Sequence, residues 1–328
     1  MRAAWFEAKG PAAKVLRVGE LPVPQPGPGE VLVRVHASAV NPSDVKFRSG
    51  ARGVDMPFPR IIPHQDGAGE IVATGAGVAA SRQGQRVWLY MSQWQRWQGT
   101  AAEYTVLPSV RAVELPPASS YLDGACLGIP ALTAYRALDC DGGVEGQNVL
   151  VQGGSGAVGF YAIQFARRLG ARRVLATVGG ERQREIAQAA GADLIIDRRA
   201  DVGAEVIRVL GGACVDRVIE VALGVNLVSD IECLRSGGSI VAFSSDAEPK
   251  PVLPFGAALY KDLRLRCLLI YLTPEAELRR AIAGVSQALQ TRTLQHNIAH
   301  VFALEEIVAA HEAQERGGSH GKLLLRID

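Results

Sequence analysis

Asn148-Val149-Leu150-Val151-Gln152-Gly153-Gly154-Ser155-Gly156-Ala157-Val158-Gly159 is the stretch that decides the fold. Its first five residues read as a short buried strand, and a helix over residues 157–169 follows the glycines at once. Gly154-x-Gly156-x-x-Gly159 is a common spacing, but between a strand and a helix it is a dinucleotide fingerprint. Gly154 is expected to permit the tight turn, Gly156 to let a pyrophosphate approach the backbone, and Gly159 to let helix and strand pack closely. The helix start offers unpaired N–H groups and a positive dipole end to the phosphates. Val158, Ala162, Phe165, Ala166 and Leu169 give that helix an apolar face for a sheet.

Downstream, strand patterns at 173–177, 194–196, 217–221, 239–243 and 266–271 alternate with helix patterns at 181–190, 202–210 and 227–234. Alternation at this length means βαβ units and a doubly wound parallel sheet. A single helix is expected over 122–138. The first third differs: β-branched runs at 31–37, 69–75 and 85–90, separated by turn residues, suggest a small barrel or sandwich. The tail from Thr273 reads helix, strand, helix, strand and is expected to rejoin the first domain. The fold class is therefore α/β, with residues 1–122 and 272–328 in one domain and 123–271 in a Rossmann domain.

A chain of 328 residues favours two domains over one. With 48% hydrophobic and 21% charged residues, both halves can bury cores. A net charge of +2 with interleaved signs argues against a nucleic-acid groove or a membrane-surface patch. Charges interrupt the first nine residues too early for a signal peptide, and no stretch is long and apolar enough to span a membrane. The five cysteines, Cys126, Cys140, Cys214, Cys233 and Cys267, are widely spaced and suit reduced thiols in a cytoplasm.

An NAD site usually ends its second strand with an acid for the ribose hydroxyls, whereas a basic residue receives a 2′-phosphate. Here the strand runs out as Ala176-Thr177-Val178-Gly179-Gly180, and Arg182, Arg184, Arg198 and Arg199 follow. That pattern favours NADPH, with at least two of the four arginines serving only as surface charges.

The sequence resembles the zinc-independent quinone oxidoreductases of the medium-chain dehydrogenase/reductase superfamily, the ζ-crystallin group. The resemblance rests on Asn41-Pro42-Ser43-Asp44 with Arg48-Ser49-Gly50, on Asp66-Gly67-Ala68-Gly69, and on Ala102-Glu103-Tyr104. It continues through Gly128-Ile129-Pro130-Ala131-Leu132-Thr133-Ala134-Tyr135-Arg136-Ala137-Leu138 and the glycine loop, and ends with His311-Glu312 and Gly321-Lys322. It implies a GroES-like barrel catalytic domain, a Rossmann domain, and a cofactor in the cleft between them. It implies that Ser155, Gly156, Ala157 and Val158 hold the pyrophosphate, and Gly179, Arg182 and Arg198 the adenosine phosphate. Phe243, Ser244 and Ser245 fall at the nicotinamide ribose, Leu268, Leu269 and Ile270 at the nicotinamide amide, and Asn41, Lys46 and Thr133 along the nicotinamide. The family often has tyrosine where this chain has Lys46. A homodimer or homotetramer is implied as well, with the strand at 266–271 as the pairing edge.

Alcohol dehydrogenases of the same superfamily hold catalytic zinc with a Cys, a His-Glu pair and a second Cys. Ser43, Gln65-Asp66 and Ile129 stand at those places, and the lobe at 85–105 has no cysteine, so no metal is expected. His64 is one residue out of register and reads better as a hydrogen-bonded loop histidine. Without a Lewis acid, an electron-poor acceptor such as a quinone suits the site better than an alcohol. Asn41 is then expected to orient the ring or a substrate oxygen, and Lys46 to stabilise an oxyanion or relay a proton, as the two catalytic candidates. Trp94 and Trp97 are candidates for stacking on a flat acceptor, while Trp88 and Tyr90 are expected on opposite faces of their strand, one in the core. Two other readings stand open: an NADPH-dependent enone or enoyl-thioester reductase, and a non-enzymatic NADPH- or RNA-binding protein.

Overall fold

The computed structural model describes residues 1–51 and 53–327. The chain divides into two compact units, Met1–Ile129 with Val285–Asp328, and Pro130–Gly284.

The first unit begins with β1 (Arg2–Trp5), α1 (Ala12–Val15) and β2 (Arg17–Glu20), the two strands pairing antiparallel. Its spine is β3 (Glu30–Val40), followed by α2 (Pro42–Ser49), β4 (Asp66–Thr74), β5 (Arg86–Leu89), β6 (Tyr104–Pro108), β7 (Ala112–Glu114) and α3 (Tyr121–Ala125). β3 is long enough to pair β4 along one edge and β6 along half of the other. Register shifts between Leu32 and Val33 and between Val35 and Ala37 interrupt the β3–β4 ladder. Such bulges bend a sheet and let it curl. Val31 and Val33, two apart and so on one face, bury with Ile71, Val87, Leu89, Leu107 and Ala112.

The second unit begins within α4 (Gly128–Asp139), and its strands are β8 (Asn148–Val151), β9 (Arg173–Val178), β10 (Leu194–Asp197), β11 (Val215–Glu220), β12 (Leu234–Ala242) and β13 (Arg264–Cys267). Between them run α5 (Ala157–Arg168), α6 (Glu181–Ala189), α7 (Val202–Leu210), α8 (Leu223–Cys233) and α9 (Phe255–Tyr260), and α10 (Glu275–Gln290) comes after. The sheet is wholly parallel in the order β10-β9-β8-β11-β12-β13. The winding reverses between β8 and β11, the place where open α/β sheets bind ligands at the strand ends. The chain then returns to the first unit with β14 (Ile298–Ala303), α11 (Ile307–Arg316) and β15 (Lys322–Arg326). β15 pairs antiparallel with β3 over Ala37 to Val40.

Several expectations are corrected. The helix over 122–138 is two helices, α3 and α4, interrupted at Cys126 and Leu127. Pro130 has no N–H to give to a carbonyl one turn back, and the N–H of Ile129 goes to the Asp66 carboxylate instead, at 2.9 Å. The last parallel strand ends at Cys267 rather than running to 271, because its partner β12 ends at Ala242. Leu268 makes the final bond, to the Ala242 carbonyl, and residues Ile270–Leu272 form a tight turn. Helix α8 starts at Leu223, four residues earlier than its apolar pattern suggests, because the Glu220 carboxylate two residues back takes the Ala222 N–H and the distant Ser245 hydroxyl takes that of Gly224. Trp88 and Tyr90 do not oppose each other: both are buried, with ring centroids 5.9 Å apart. Residues two apart on a strand share a face.

Candidate functional site

In the second unit the loop after β8 is built from backbone. Gly153 has φ +71°, a left-handed conformation that glycine tolerates best, so the tight turn belongs to Gly153 and not to Gly154. Gly154 instead packs against Ala176 of β9. A Cβ on Gly159 would lie 2.2 Å from the Gly153 carbonyl oxygen, so the close approach of α5 to the loop requires glycine there. Gly156 is exposed at the N-cap of α5, and no side chain caps that helix end. The N–H groups of the first turn, over Ala157 and Val158, are therefore left for an anion. Ser155 is buried beside them. This cradle fits a dinucleotide pyrophosphate.

The loop after β9 leads into α6, whose N-cap is Gly180, again without a side-chain cap. Of the four arginines nearby, three are already paired. Arg182 bonds Glu185 at 2.9 Å, Arg184 lies 3.6 Å from Glu181, and Arg199 grips Asp197 with two nitrogens. Arg198 makes no ion pair among the described residues. Its guanidinium lies across Gly179, with Nε 2.6 Å from where a Cβ on that glycine would sit.

Phe243, Ser244 and Ser245 follow β12, and all three are half-buried. The Ser245 hydroxyl is committed within the chain: it accepts from the Gly224 N–H at 2.8 Å and donates to the Glu248 carbonyl. Leu268 is half-buried, Leu269 exposed and Ile270 buried at the end of the sheet. Thr133 is buried in α4.

In the first unit, distant parts of the chain meet around Asn41, the N-cap of α2. Its amide nitrogen donates to Asp66 Oδ2 at 2.7 Å, and its amide oxygen accepts from the Lys322 ammonium. Lys322 Nζ lies 3.5 Å from the same Asp66 oxygen, and all three side chains are buried. Asp44, one turn along the helix, accepts the Asn41 backbone N–H at 2.7 Å while its second oxygen has no partner among the described residues. Burial and the neighbouring Asp66 charge push the Asp44 pKa up to about 8. Burial raises Asp66 too, but Lys322, the Asn41 amide and the Ile129 N–H oppose the shift. The proton of the two acids therefore rests on Asp44, and Asp66 is the carboxylate that faces the ammonium. Lys46 is half-buried two residues further on.

A second buried chain runs beside the first. The Thr100 hydroxyl donates to the Asp66 carbonyl at 2.6 Å, so Ser38 must donate to Thr100 at 2.7 Å. His64 Nδ1 must then donate to Ser38 at 2.8 Å, and His311 Nε2 to His64 Nε2 at 2.9 Å. Every proton is assigned, and both histidines are neutral. Burial holds the His64 pKa well below its usual range; burial and the charge of Arg48 lower His311 to about 3. His64, at φ +81°, is thus a fully hydrogen-bonded core histidine.

Asp44, Lys322, Gln152, Thr177, Glu220 and Asp230 were not singled out as site residues from the sequence. Asn41-Pro42 with an acid at the third helical position is a helix-start signature that would have placed Asp44 against the Asn41 backbone. A lysine heading the run Leu323-Leu324-Leu325 is a signal for a buried ammonium in need of a partner. Trp94 is half-buried and Trp97 partly exposed in the turn-rich segment between β5 and β6.

Zinc does not fit the first unit. The Asp66 carboxylate is taken up by an amide, an ammonium and a backbone N–H, Ser43 and Ile129 replace the sulfur donors, and His64 is bonded at both nitrogens. Among the described residues no three His, Cys, Asp or Glu side chains gather into a metal-holding group.

Two family models match the chain: the alcohol dehydrogenase GroES-like domain over residues 27–117, and the zinc-binding dehydrogenase domain over residues 157–287. A human quinone oxidoreductase is 31% identical over 327 residues, covering 98% of this chain and 95% of its own. The crystal structure of an NAD-dependent alcohol dehydrogenase superimposes with a TM-score of 0.89 at 29% identity over all of both chains. That of an Escherichia coli quinone oxidoreductase complexed with NADPH shares the fold, with a TM-score of 0.86 at 24% identity over 99% of this chain and 100% of its own. With such likeness to the human protein along nearly its whole length, the chain belongs to the quinone oxidoreductases of the medium-chain dehydrogenase/reductase superfamily and is an oxidoreductase enzyme.

Proposed function

We propose that this chain reduces quinones with NADPH and without a metal. The observation that carries the reading is the pairing of an uncapped α5 N-terminus with an unpaired arginine, Arg198, lying across Gly179. The first suits a pyrophosphate and the second an additional phosphate. The names of the relatives supply the acceptor class.

NADPH, when bound, supplies the hydride. Ser155, Gly156, Ala157 and Val158 bind its pyrophosphate, largely through backbone N–H groups. Gly179 gives the close approach and Arg198 the charge for the adenosine phosphate; Arg182, held by Glu185, contributes less. Phe243, Ser244 and Ser245 meet the nicotinamide ribose through backbone, since the Ser245 hydroxyl is already bonded twice. Leu268, Leu269 and Ile270 meet the nicotinamide amide, and Thr133 the ring. In the first unit Asn41 and Lys46 are the catalytic residues. Asn41 is held rigid by Asp66 and Lys322, and the second N–H of its amide is the group that donates to an acceptor oxygen. Lys46 stabilises the developing oxyanion or relays a proton from solvent.

The enzyme works in the cytoplasm, which suits its five free cysteines. No described helix is long and apolar enough to cross a membrane. It assembles as a homodimer or homotetramer through β13, an edge strand exposed along its length, with Phe255, Leu259 and Tyr260 exposed nearby in sequence.

A panel of quinones, alkenals and enoyl-CoA esters, run with NADPH and with NADH, tests the reading. Quinones with NADPH should turn over fastest. Faster reduction of the alkenals or thioesters would move the function to activated C=C bonds, and equal rates with NADH would remove the cofactor preference.

A further inference from the structure

The glycine loop is tied to a buried acid. The Gly153 N–H donates to Thr177 Oγ1 at 3.0 Å, and the Thr177 hydroxyl donates to the Gln152 amide oxygen at 2.7 Å. That fixes the orientation of the Gln152 amide, whose nitrogen donates to Asp230 Oδ1 at 2.7 Å. Gln152, Thr177 and Asp230 are almost wholly buried. The second Asp230 oxygen is buried without a hydrogen-bond partner among the described residues, and Glu220, the fully buried last residue of β11, is near enough for its charge to act on it. Glu220 holds a different segment: it accepts the Ala222 N–H, and both its oxygens lie 3.2 Å from the Asn226 amide nitrogen. Its own backbone carbonyl takes the Phe243 N–H, and the N–H groups of Leu223 and Gly224 reach Ser244 and Ser245.

We infer that Asp230 is a positioning residue: by accepting from Gln152 it fixes, through Thr177, the N–H of Gly153 in the pyrophosphate loop. This rests on the dinucleotide-binding reading and deepens it. Glu220 is occupied as an acceptor by N–H groups, whereas the second Asp230 oxygen has no donor among the described residues, so a proton is better placed on Asp230. Burial and the adjacent Glu220 push the Asp230 pKa well above the carboxylate range, in the same direction. Asp230 acts through Gln152 and Thr177 and touches no phosphate itself.

An amide can replace the acid here, since its oxygen also accepts from Gln152, whereas a methyl group cannot. NADPH dissociation constants and hydrogen exchange at Gly153–Gly156 in the ligand-free protein should therefore be measured for D230N, D230A, T177V and T177S. D230A and T177V should each weaken NADPH about tenfold, speed exchange in the loop, and raise KM for NADPH more than they lower kcat. D230N and T177S should stay within about threefold of wild type, the size of a lost fraction of one hydrogen bond. If D230A does not fold, the contrast between T177V and T177S decides. D230N as damaging as D230A would overturn the inference, and so would a T177V protein with a lowered Tm but unchanged NADPH affinity and loop exchange. A wild-type protein that binds no dinucleotide would remove the underlying reading together with this one; normal wild-type binding with unaffected variants would remove this one alone.

Discussion

The glycine loop of the second unit and the Asn41 cluster of the first solve the same problem, a polar group away from water, in opposite ways. The loop leaves N–H groups open for a ligand and uses residues within a few positions of each other, Gly153 to Val158. The cluster leaves almost nothing open, and it gathers residues 41, 44, 66 and 322 from three separate stretches of chain. A binding surface needs unsatisfied groups, whereas a buried charge needs complete partners. The loop should therefore be sensitive to shape, and the cluster to charge.

Five substitutions put that contrast under strain. The largest effect should come from Gly159→Val, which sets carbon against the Gly153 carbonyl and displaces α5 from the loop. NADPH affinity should fall about 100-fold or more, as for other displacements of around an ångström at a binding site, and titration of protein fluorescence would show it. A value within threefold of wild type would mean that loop shape is not limiting. Next comes Lys322→Met, which leaves the Asp66 carboxylate buried without its cation. Removing one partner of a buried ion pair costs about 3–5 kcal/mol, to be read from denaturant unfolding; a loss below 1 kcal/mol would show the ammonium to be dispensable.

Arg198→Ala should weaken NADPH about 10–100-fold, the worth of a charge-assisted bond, and leave NADH unchanged. Arg182→Ala should cost NADPH less than about threefold, because that side chain is exposed and paired with Glu185. Equal losses for NADPH and NADH would refute the assignment.

The last effect is one of slope. Asp44 loses its proton near 3.8 when unfolded but only at about 8 in the fold. Its contribution to stability is fully present below about pH 4 and is lost as pH rises through 8, at no more than about 1.4 kcal/mol per pH unit. Asp44→Asn should flatten Tm against pH across that range; an unchanged slope would put the proton elsewhere. The histidine pair works in the other direction. His311 titrates near 6.5 when unfolded and near 3 in the fold, so its contribution is present above about pH 6.5 and is lost as pH falls toward 3. The Asp44→Asn protein should keep this acid limb.

How much was legible follows the same division. Helix α7 at 202–210 and the strands β8 and β9 were readable because apolar spacing is a local signal. The strands β1, β2, β6 and β7 were not, since each has only three to five residues, and β6 and β7 are held by partners well back along the chain. The arginines show both sides at once. Their abundance after β9 was plain in the sequence, but only the ion pairs of Arg182, Arg184 and Arg199 single out Arg198.

The sequence by itself determined the parallel α/β unit, the seat of the glycine loop and the lack of zinc donors at their usual places, because each depends on residue type at short spacing. Tertiary structure alone decided that Gly153 makes the turn, that Lys322 neutralises Asp66, and that Asp230 stands behind the loop. Buried hydrogen bonds and charges must be satisfied by whatever the fold brings within about 3 Å, and that neighbourhood is set by strand order and helix packing, which no local stretch of sequence encodes.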